Sequence, residues 1–187
     1  MDRRLLVCAA LLAAAAPVSA MELAGVTMPD TTTVGSTTLK VNGMGVRTKT
    51  MLKVKVYVAG LYLTTPNHDA AAILAADETK QVVMQFVYSK VEKDKLTEAW
   101  QEGFANNSAA ALPALKARLD QFCAWWPDMV SGQRAVITYI PGTGTRLDIN
   151  GKEAGVIPGK DFAEAMFAVW LGPKPADAGL KAGILGK

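Results

Sequence analysis

A guanidinium and a phenol held side by side can grip one anionic or carbonyl oxygen, and the segment from Asn42 to Leu63 carries both groups, as Arg47 and Tyr57. Gly43, Gly45 and Arg47 share one face of a strand by the two-residue period, so the arginine emerges beside two positions without side chains, which predicts free space above the sheet. Along one straight strand Arg47 and Tyr57 would lie about 33 Å apart, too far to share a ligand. A reversal near Leu52 makes them a cross-strand pair whose polar ends converge. The plainer alternative is a surface arginine and a packed sheet tyrosine.

The remaining reactive residue types point elsewhere. There is no Gly-x-Ser-x-Gly, no phosphate-binding glycine loop, no His-Glu-x-x-His and no Cys-x-x-Cys, so hydrolase, nucleotide and common metal chemistries have no support. The one histidine, His68, lies in the polar loop Pro-Asn-His-Asp and reads as solvated. Cys123 has no histidine beside it in the sequence to activate it and reads as a small core hydrophobe. Trp125 and Trp126 face different directions on a helix, so at most one could line a pocket, and core packing explains both. Lys53, Lys55 and Lys95 read as a solvated rim.

These groups need elements to hold them. Thr37 to Arg47, Lys53 to Leu63 and Gln81 to Tyr88 are strand candidates, rich in β-branched and aromatic residues with stretches of alternation. Ser89 with Glu92 has the spacing of a capping box and predicts a helix starting there, with Leu96, Ala99, Trp100 and Phe104 on one face. Leu112, Leu115, Leu119, Phe122 and Trp126 repeat at helical spacing and Pro127 supplies a stop. Ala135 to Ile140, Thr145 to Ile149 and a short strand near Val156, joined by Pro-Gly-Thr-Gly and Asn150-Gly151, predict antiparallel hairpins. A helix over Lys160 to Leu171 carries Phe162, Met166, Phe167 and Trp170 on its inner side, and a short terminal helix follows. Met21 to Ser36, with Gly, Pro and four threonines, reads as an extended lead-in. Strands early and late around helical hairpins, without βαβ alternation, predict an α+β fold: an antiparallel sheet with helices on one face.

The N-terminus predicts export. Arg3 and Arg4 precede the apolar run Leu5 to Ala16, and Val18-Ser19-Ala20 supplies a small-x-small cleavage site, so residues 1–20 read as a secretory signal cut after Ala20. The apolar run is too short to span a bilayer, and no longer one follows. Cys8 is an incidental residue of that run. Cleavage leaves 167 of the 187 residues, and lowers the basic count from 20 to 18 and the acidic from 17 to 16, a net of +2. That charge is no nucleic-acid footprint. A mature chain with the single cysteine Cys123 forms no internal disulfide, and its length suffices for one core-stabilised domain. The expectation is a periplasmic or secreted monomer with no membrane segment after cleavage, no metal and no cofactor.

The run Gly-Met-Gly-Val-Arg, followed by Lys-Val-Tyr-Val-Ala-Gly-Leu-Tyr-Leu, resembles the chalcone isomerase-like family, especially its exported bacterial members. The likeness extends over most of the chain, through Tyr88-Ser89-Lys90 before the helix with Trp100, to the closing segment from Phe162 to Gly172. The resemblance implies an open-faced β-sandwich, a large antiparallel sheet under a helical layer, with a ligand cleft between them. In the family's isomerases an arginine matched by Arg47 steadies an oxyanion, and a tyrosine matched by Tyr88 hydrogen-bonds at the substrate carbonyl. This chain departs from the plant enzymes where their threonine falls at Tyr57, their lysine at Val91 and their asparagine at Lys95. An arginine and tyrosine on paired strands are instead similar to the carboxylate clamp of the family's fatty-acid-binding members.

Two functional readings follow. One is an exported protein that binds an apolar carboxylic acid, a fatty acid foremost, with Arg47, Tyr57, Gly43, Gly45, Tyr88 and Lys95 around it. The other is a chalcone–flavanone isomerase or related enone isomerase or lyase, with Arg47, Tyr88 and Tyr57 as its catalytic groups and no cofactor. A closed cleft serving only protein contacts would pack Gly43 and Gly45 against other backbone, so a cavity beside Arg47 separates these readings.

Overall fold

The computed structural model describes residues 19–49 and 52–187, so the expected leader, apart from Ser19 and Ala20, lies outside the described residues. The segment expected as a plain lead-in holds three short strands, β1 (Ala20–Leu23), β2 (Val26–Pro29) and β3 (Thr31–Val34). Ala24 and Gly25, with φ of 52° and 79°, make the tight turn between the first two. Only a few apolar residues alternate in each strand, which is why a sequence pattern of this length does not declare them.

The long hairpin follows as β4 (Thr37–Lys49) and β5 (Val54–Leu63), then α1 (Ala70–Ala75) and β6 (Lys80–Phe86). A helical excursion comes next: β7 (Lys90–Val91), α2 (Lys93–Asn107), α3 (Leu112–Ala124) and β8 (Met129–Val130). The chain ends with β9 (Arg134–Ile140), β10 (Gly144–Ile149), β11 (Lys152–Ile157), α4 (Lys160–Leu171) and α5 (Ala178–Ile184). The turn into β11 uses Asn150 and Gly151 at φ of 52° and 80°, the left-handed pair that a two-residue hairpin requires.

The expected capping box at Ser89 does not form. Lys90 and Val91 pair with Val130 and Met129, holding the chain extended past Ser89, so α2 starts four residues later. Its first amide is satisfied from across the chain, Lys93 N donating to Asp128 Oδ1 at 2.8 Å. A tertiary pairing has displaced a local cap.

Seven strands form one antiparallel sheet in the order β11-β10-β9-β6-β5-β4-β3. The early and late hairpins join where β6 meets β9, with Val82 opposite Ile137 and Met84 opposite Ala135. The helical layer lies on one face and the main core fills the space between, from Ala59 and Leu61 on the sheet to Phe104, Phe122 and Trp170 on the helices. Of the helices α4 is the most enclosed, with nine of its residues buried, because α1, α2 and α5 surround it above the sheet. Trp100 anchors the outer layer, its ring 5.3 Å from Trp126 and 5.5 Å from Trp170.

On the opposite face the β1–β2 hairpin covers only part of the sheet. Val26 and Met28 pack with Leu39, Met44, Val58 and Tyr62, whose hydroxyl donates to the Pro29 carbonyl at 2.8 Å. One face is thus fully layered and the other half covered, the open-faced arrangement that the family resemblance implied.

Candidate ligand-binding site

The hairpin reversal brings Arg47 opposite Tyr57, a direct pair on the helix-facing side of the sheet. Such partners have Cβ atoms about 5 Å apart, close enough for one ligand oxygen to meet both. Beyond this pair the register shifts: Arg47 faces Tyr57, but Thr48 faces Lys55, leaving Val56 as the extra residue of a bulge. A bulge bends its strand and re-aims a side chain. Here Val54 and Val56 both join Tyr57 in lining a cavity.

Four residues earlier the same face is closed. Gly43 and Gly45 stand opposite Leu61 and Ala59, as the strand period predicts, but α5 lies flush on them. A methyl group at Gly45 would sit 2.5 Å from the Leu180 carbonyl oxygen, and one at Gly43 would strike the Gly183 carbonyl. Gly183 faces back onto Met44 and Gly45, so both layers are trimmed to backbone where they touch. The free space expected above Gly43 and Gly45 is therefore filled by α5, and neither glycine lines the cavity. Asn42 completes the seam: its Nδ2 donates to the Ile184 carbonyl at 2.9 Å and its Oδ1 accepts from Asn67 N at 2.7 Å.

That backbone packing of Gly43 and Gly45 is what a closed cleft would show, but past Gly45 the layers part around a cavity of about 520 Å³ beside Arg47, within the usual span of small-molecule sites. Its inner wall is apolar, with Val56, Met84, Leu96, Trp100 and Val169, while Lys49, Tyr88, Lys95, Glu102 and Lys174 stand at its exposed margin. Arg47 and Tyr57 form the polar part of the inner wall.

The clamp is built to donate. Trp170 Nε1 donates to the Tyr57 hydroxyl oxygen at 3.1 Å in a buried contact, leaving the phenolic proton free to donate elsewhere. Burial raises the Tyr57 pKa; the Trp170 bond and the nearby Arg47 charge only partly offset it, so the phenol stays protonated at neutral pH. Arg47 spends one donor on the Thr48 carbonyl at 2.9 Å and lies 3.9 Å from Asp177 Oδ2. Asp177 caps α5 through Leu180 N at 2.9 Å and accepts from Thr48 N at 3.0 Å and Thr48 Oγ1 at 2.8 Å. Burial alone would raise its carboxyl, but these amides, the hydroxyl and the Arg47 guanidinium hold it below the ordinary carboxylate range. With its oxygens engaged, Asp177 orients Arg47 rather than burying it in a tight ion pair. A guanidinium and a phenol whose oxygen already accepts one hydrogen bond and whose proton is free together suit a group that only accepts, such as a carboxylate or a carbonyl oxygen.

The other expected site residues divide. Tyr88, Val91 and Lys95 line the same cavity as Arg47, Tyr88 being 43 % exposed at the rim and Lys95 paired with Glu98 at 2.9 Å. Lys53 and Lys55 are exposed but do not line it. His68 lies on the surface with Nδ1 against the Leu185 carbonyl, a contact with the C-terminal segment that its loop composition does not reveal. Cys123 is buried, which pushes its thiol up to about 11, as befits an inert core residue. Trp126 is enclosed among Trp100 and Phe122, while Trp125 packs on Phe122 and Gly155; neither reaches the cavity.

Trp170, Asp177, Lys49 and Lys174 were not anticipated around the site. The inner face of α4 was readable and included Trp170, yet nothing local shows that its indole meets Tyr57. Asp177 stands where an N-cap belongs, which is a usable signal for α5 but not for its contact with Arg47. Among the described residues no group of three His, Cys, Asp or Glu side chains could hold a metal ion, and no helix is long and apolar enough to cross a membrane.

Comparison with known proteins agrees with this architecture. The chalcone isomerase-like family model matches residues 20–186, and the chain belongs to that family. The crystal structure of a fatty-acid binding protein of Arabidopsis thaliana superposes with a TM-score of 0.72 at 16 % identity, covering 89 % of this chain and 96 % of that one. At that identity the likeness is one of fold. No curated protein matches the sequence.

Proposed function

We propose that this member of the chalcone isomerase-like family is an exported, periplasmic or secreted protein that binds an apolar carboxylic acid, a fatty acid foremost, between its sheet and its helices. The observation that carries the reading is the pair of free donors, Arg47 and Tyr57, set in the wall of a largely apolar cavity of about 520 Å³. A carboxylate accepts from both groups while its chain lies along Val56, Met84, Leu96 and Val169. Ten buried methylenes would contribute about 8 kcal/mol, and the charge-assisted contacts about 1.5–3 kcal/mol more. Those gains stand against the association cost of several kcal/mol. The chain supplies affinity and the clamp supplies orientation. The fold shared with a fatty-acid binding protein supports the reading, and the charged start and apolar run of the leader support export.

Native mass spectrometry of the mature protein from its own host, with organic extraction, tests it. A stoichiometric fatty acid that is lost in Arg47→Ala is the expected result. An acid bound equally well by Arg47→Ala would overturn the clamp.

One observation favours a second reading. Tyr88 lines the same cavity as Arg47, the pair matched to the isomerases' oxyanion-stabilising arginine and carbonyl-bonding tyrosine. As an enone isomerase, the protein would use Arg47 to stabilise the oxyanion that forms when a substrate's own phenolate adds to its enone, with Tyr88 and Tyr57 donating to the carbonyl. Cyclisation of 2′-hydroxychalcones no faster than the spontaneous rate excludes that substrate class.

A further inference from the structure

We propose that the end of the molecule carrying the β4–β5 hairpin docks on an anionic lipid bilayer and that the cavity exchanges its occupant there. The exchange half rests on the acid-binding reading; the docking half does not.

The charge distribution points first to this end. No Asp or Glu occurs between Asp30 and Asp69, a stretch that includes the whole hairpin. Within it Lys49, Lys53 and Lys55 are exposed, and none makes an ion pair among the described residues. The lysines across the cavity mouth differ, since Lys90 pairs with Asp128 at 2.9 Å and Lys95 with Glu98 at 2.9 Å. The hairpin therefore carries three unpaired lysines beside the cavity; Lys174 is likewise unpaired there, and Glu92 and Glu102 are the carboxylates that line the cavity without an ion pair among the described residues.

Apolar exposure falls at the same end. The large hydrophobic side chains exposed among the described residues are Met21, Leu52, Tyr88 and Val130, and Leu52 is by far the barest at 86 %. Leu52 precedes β5, and Tyr88 N donates to the Val56 carbonyl near the start of that strand at 3.2 Å. Val130 pairs with Lys90, two residues beyond Tyr88. Three of the four thus gather where β4 ends, β5 begins and β6 ends, and Tyr88 and Lys49 also line the cavity.

Exposed apolar side chains flanked by lysines fit the headgroup region of a bilayer, where the side chains enter the acyl boundary and the ammonium groups meet anionic lipid. A long-chain acid leaving such a surface directly into a neighbouring cavity never exposes its chain to water. A protein partner for the same patch has no reason to follow lipid charge, and that separates the two in practice.

The test is co-sedimentation of the full mature chain with phosphatidylcholine vesicles and with vesicles in which about a third of the lipid is phosphatidylglycerol. Binding to the anionic vesicles alone is expected. The triple variant Lys49→Glu, Lys53→Glu, Lys55→Glu should weaken it by about a hundredfold or more, since each lysine near such a surface contributes about fivefold. Leu52→Asp should weaken it about tenfold or more. No binding to anionic vesicles, equal binding to both kinds, or unchanged binding by both variants overturns the docking. For the exchange half, a fluorescent long-chain acid should leave the protein at a rate that rises with the concentration of anionic vesicles. A rate independent of vesicle concentration overturns exchange while docking stands, and vesicle binding by a protein that takes up no acid overturns the acid-binding reading alone.

Discussion

Two stretches of one strand face the same helical layer and meet opposite fates. At Gly43 and Gly45 the sheet has no side chains, and α5 settles onto its backbone until a single methyl group would not fit. At Arg47, two residues on and on the same face, the paired side chains of Arg47 and Tyr57 stand up from the sheet and a cavity opens. The distance between the layers follows the size of the side chains between them, as close packing of the interior requires. The closed stretch serves the open one. By seating α5 it fixes Asp177 at the helix start, within reach of Arg47 and Thr48.

A side chain placed in the closed stretch should have the largest effect. Gly45→Val should cost about 3 kcal/mol or more, because the obstruction is the Leu180 backbone and cannot swing aside. Thermal unfolding should then fall by roughly 6–12 °C; an unchanged midpoint would show that α5 does not sit flush. In the open stretch the same test should spare the fold and damage binding. Arg47→Ala should raise the Kd for a long-chain acid roughly 10–150-fold with little change in unfolding temperature, measured by titration calorimetry.

Asp177→Ala joins both regions and should show an intermediate effect. Loss of the cap on α5 should cost about 1 kcal/mol of stability. The carboxyl of Asp177 is held below its ordinary value in the folded state, so its contribution is present above about pH 4 and is lost as pH falls through the lower folded value. The variant should therefore lose less stability than the parent on acidification, and identical acid unfolding curves would refute this. The smallest effect is expected at the rim: Tyr88→Phe should change acid affinity less than about twofold, since this exposed hydroxyl has no required partner in the acid-binding reading. A large loss there would favour the isomerase reading.

Much of this was readable in the residues themselves. The two strands were legible, and a reversal near Leu52 was the condition under which Arg47 and Tyr57 would pair; the structure meets that condition. The span of α4 was expected as Lys160 to Leu171 and is observed there, because its apolar face is long and Gly172-Pro173 ends it. The failures share a cause. Ser89 and Glu92 have a sound capping pattern, but strand pairing with Met129 and Val130 claims the residues between them. Gly43 and Gly45 looked like open ground because a missing side chain reads the same whether a ligand or a helix will occupy the space.

The alternation, the turns and the helical faces, and so the identity of the strands that carry Arg47 and Tyr57, are local properties of the residues, because they depend on neighbours a few positions away. The pairing of β6 with β9, the bond from Trp170 to the Tyr57 hydroxyl, and the cover of α5 over two glycines beside an open cavity at the arginine arise only when distant segments meet. Those contacts join residues up to about 140 positions apart, and their outcome depends on how the layers fill the space between them rather than on any local preference.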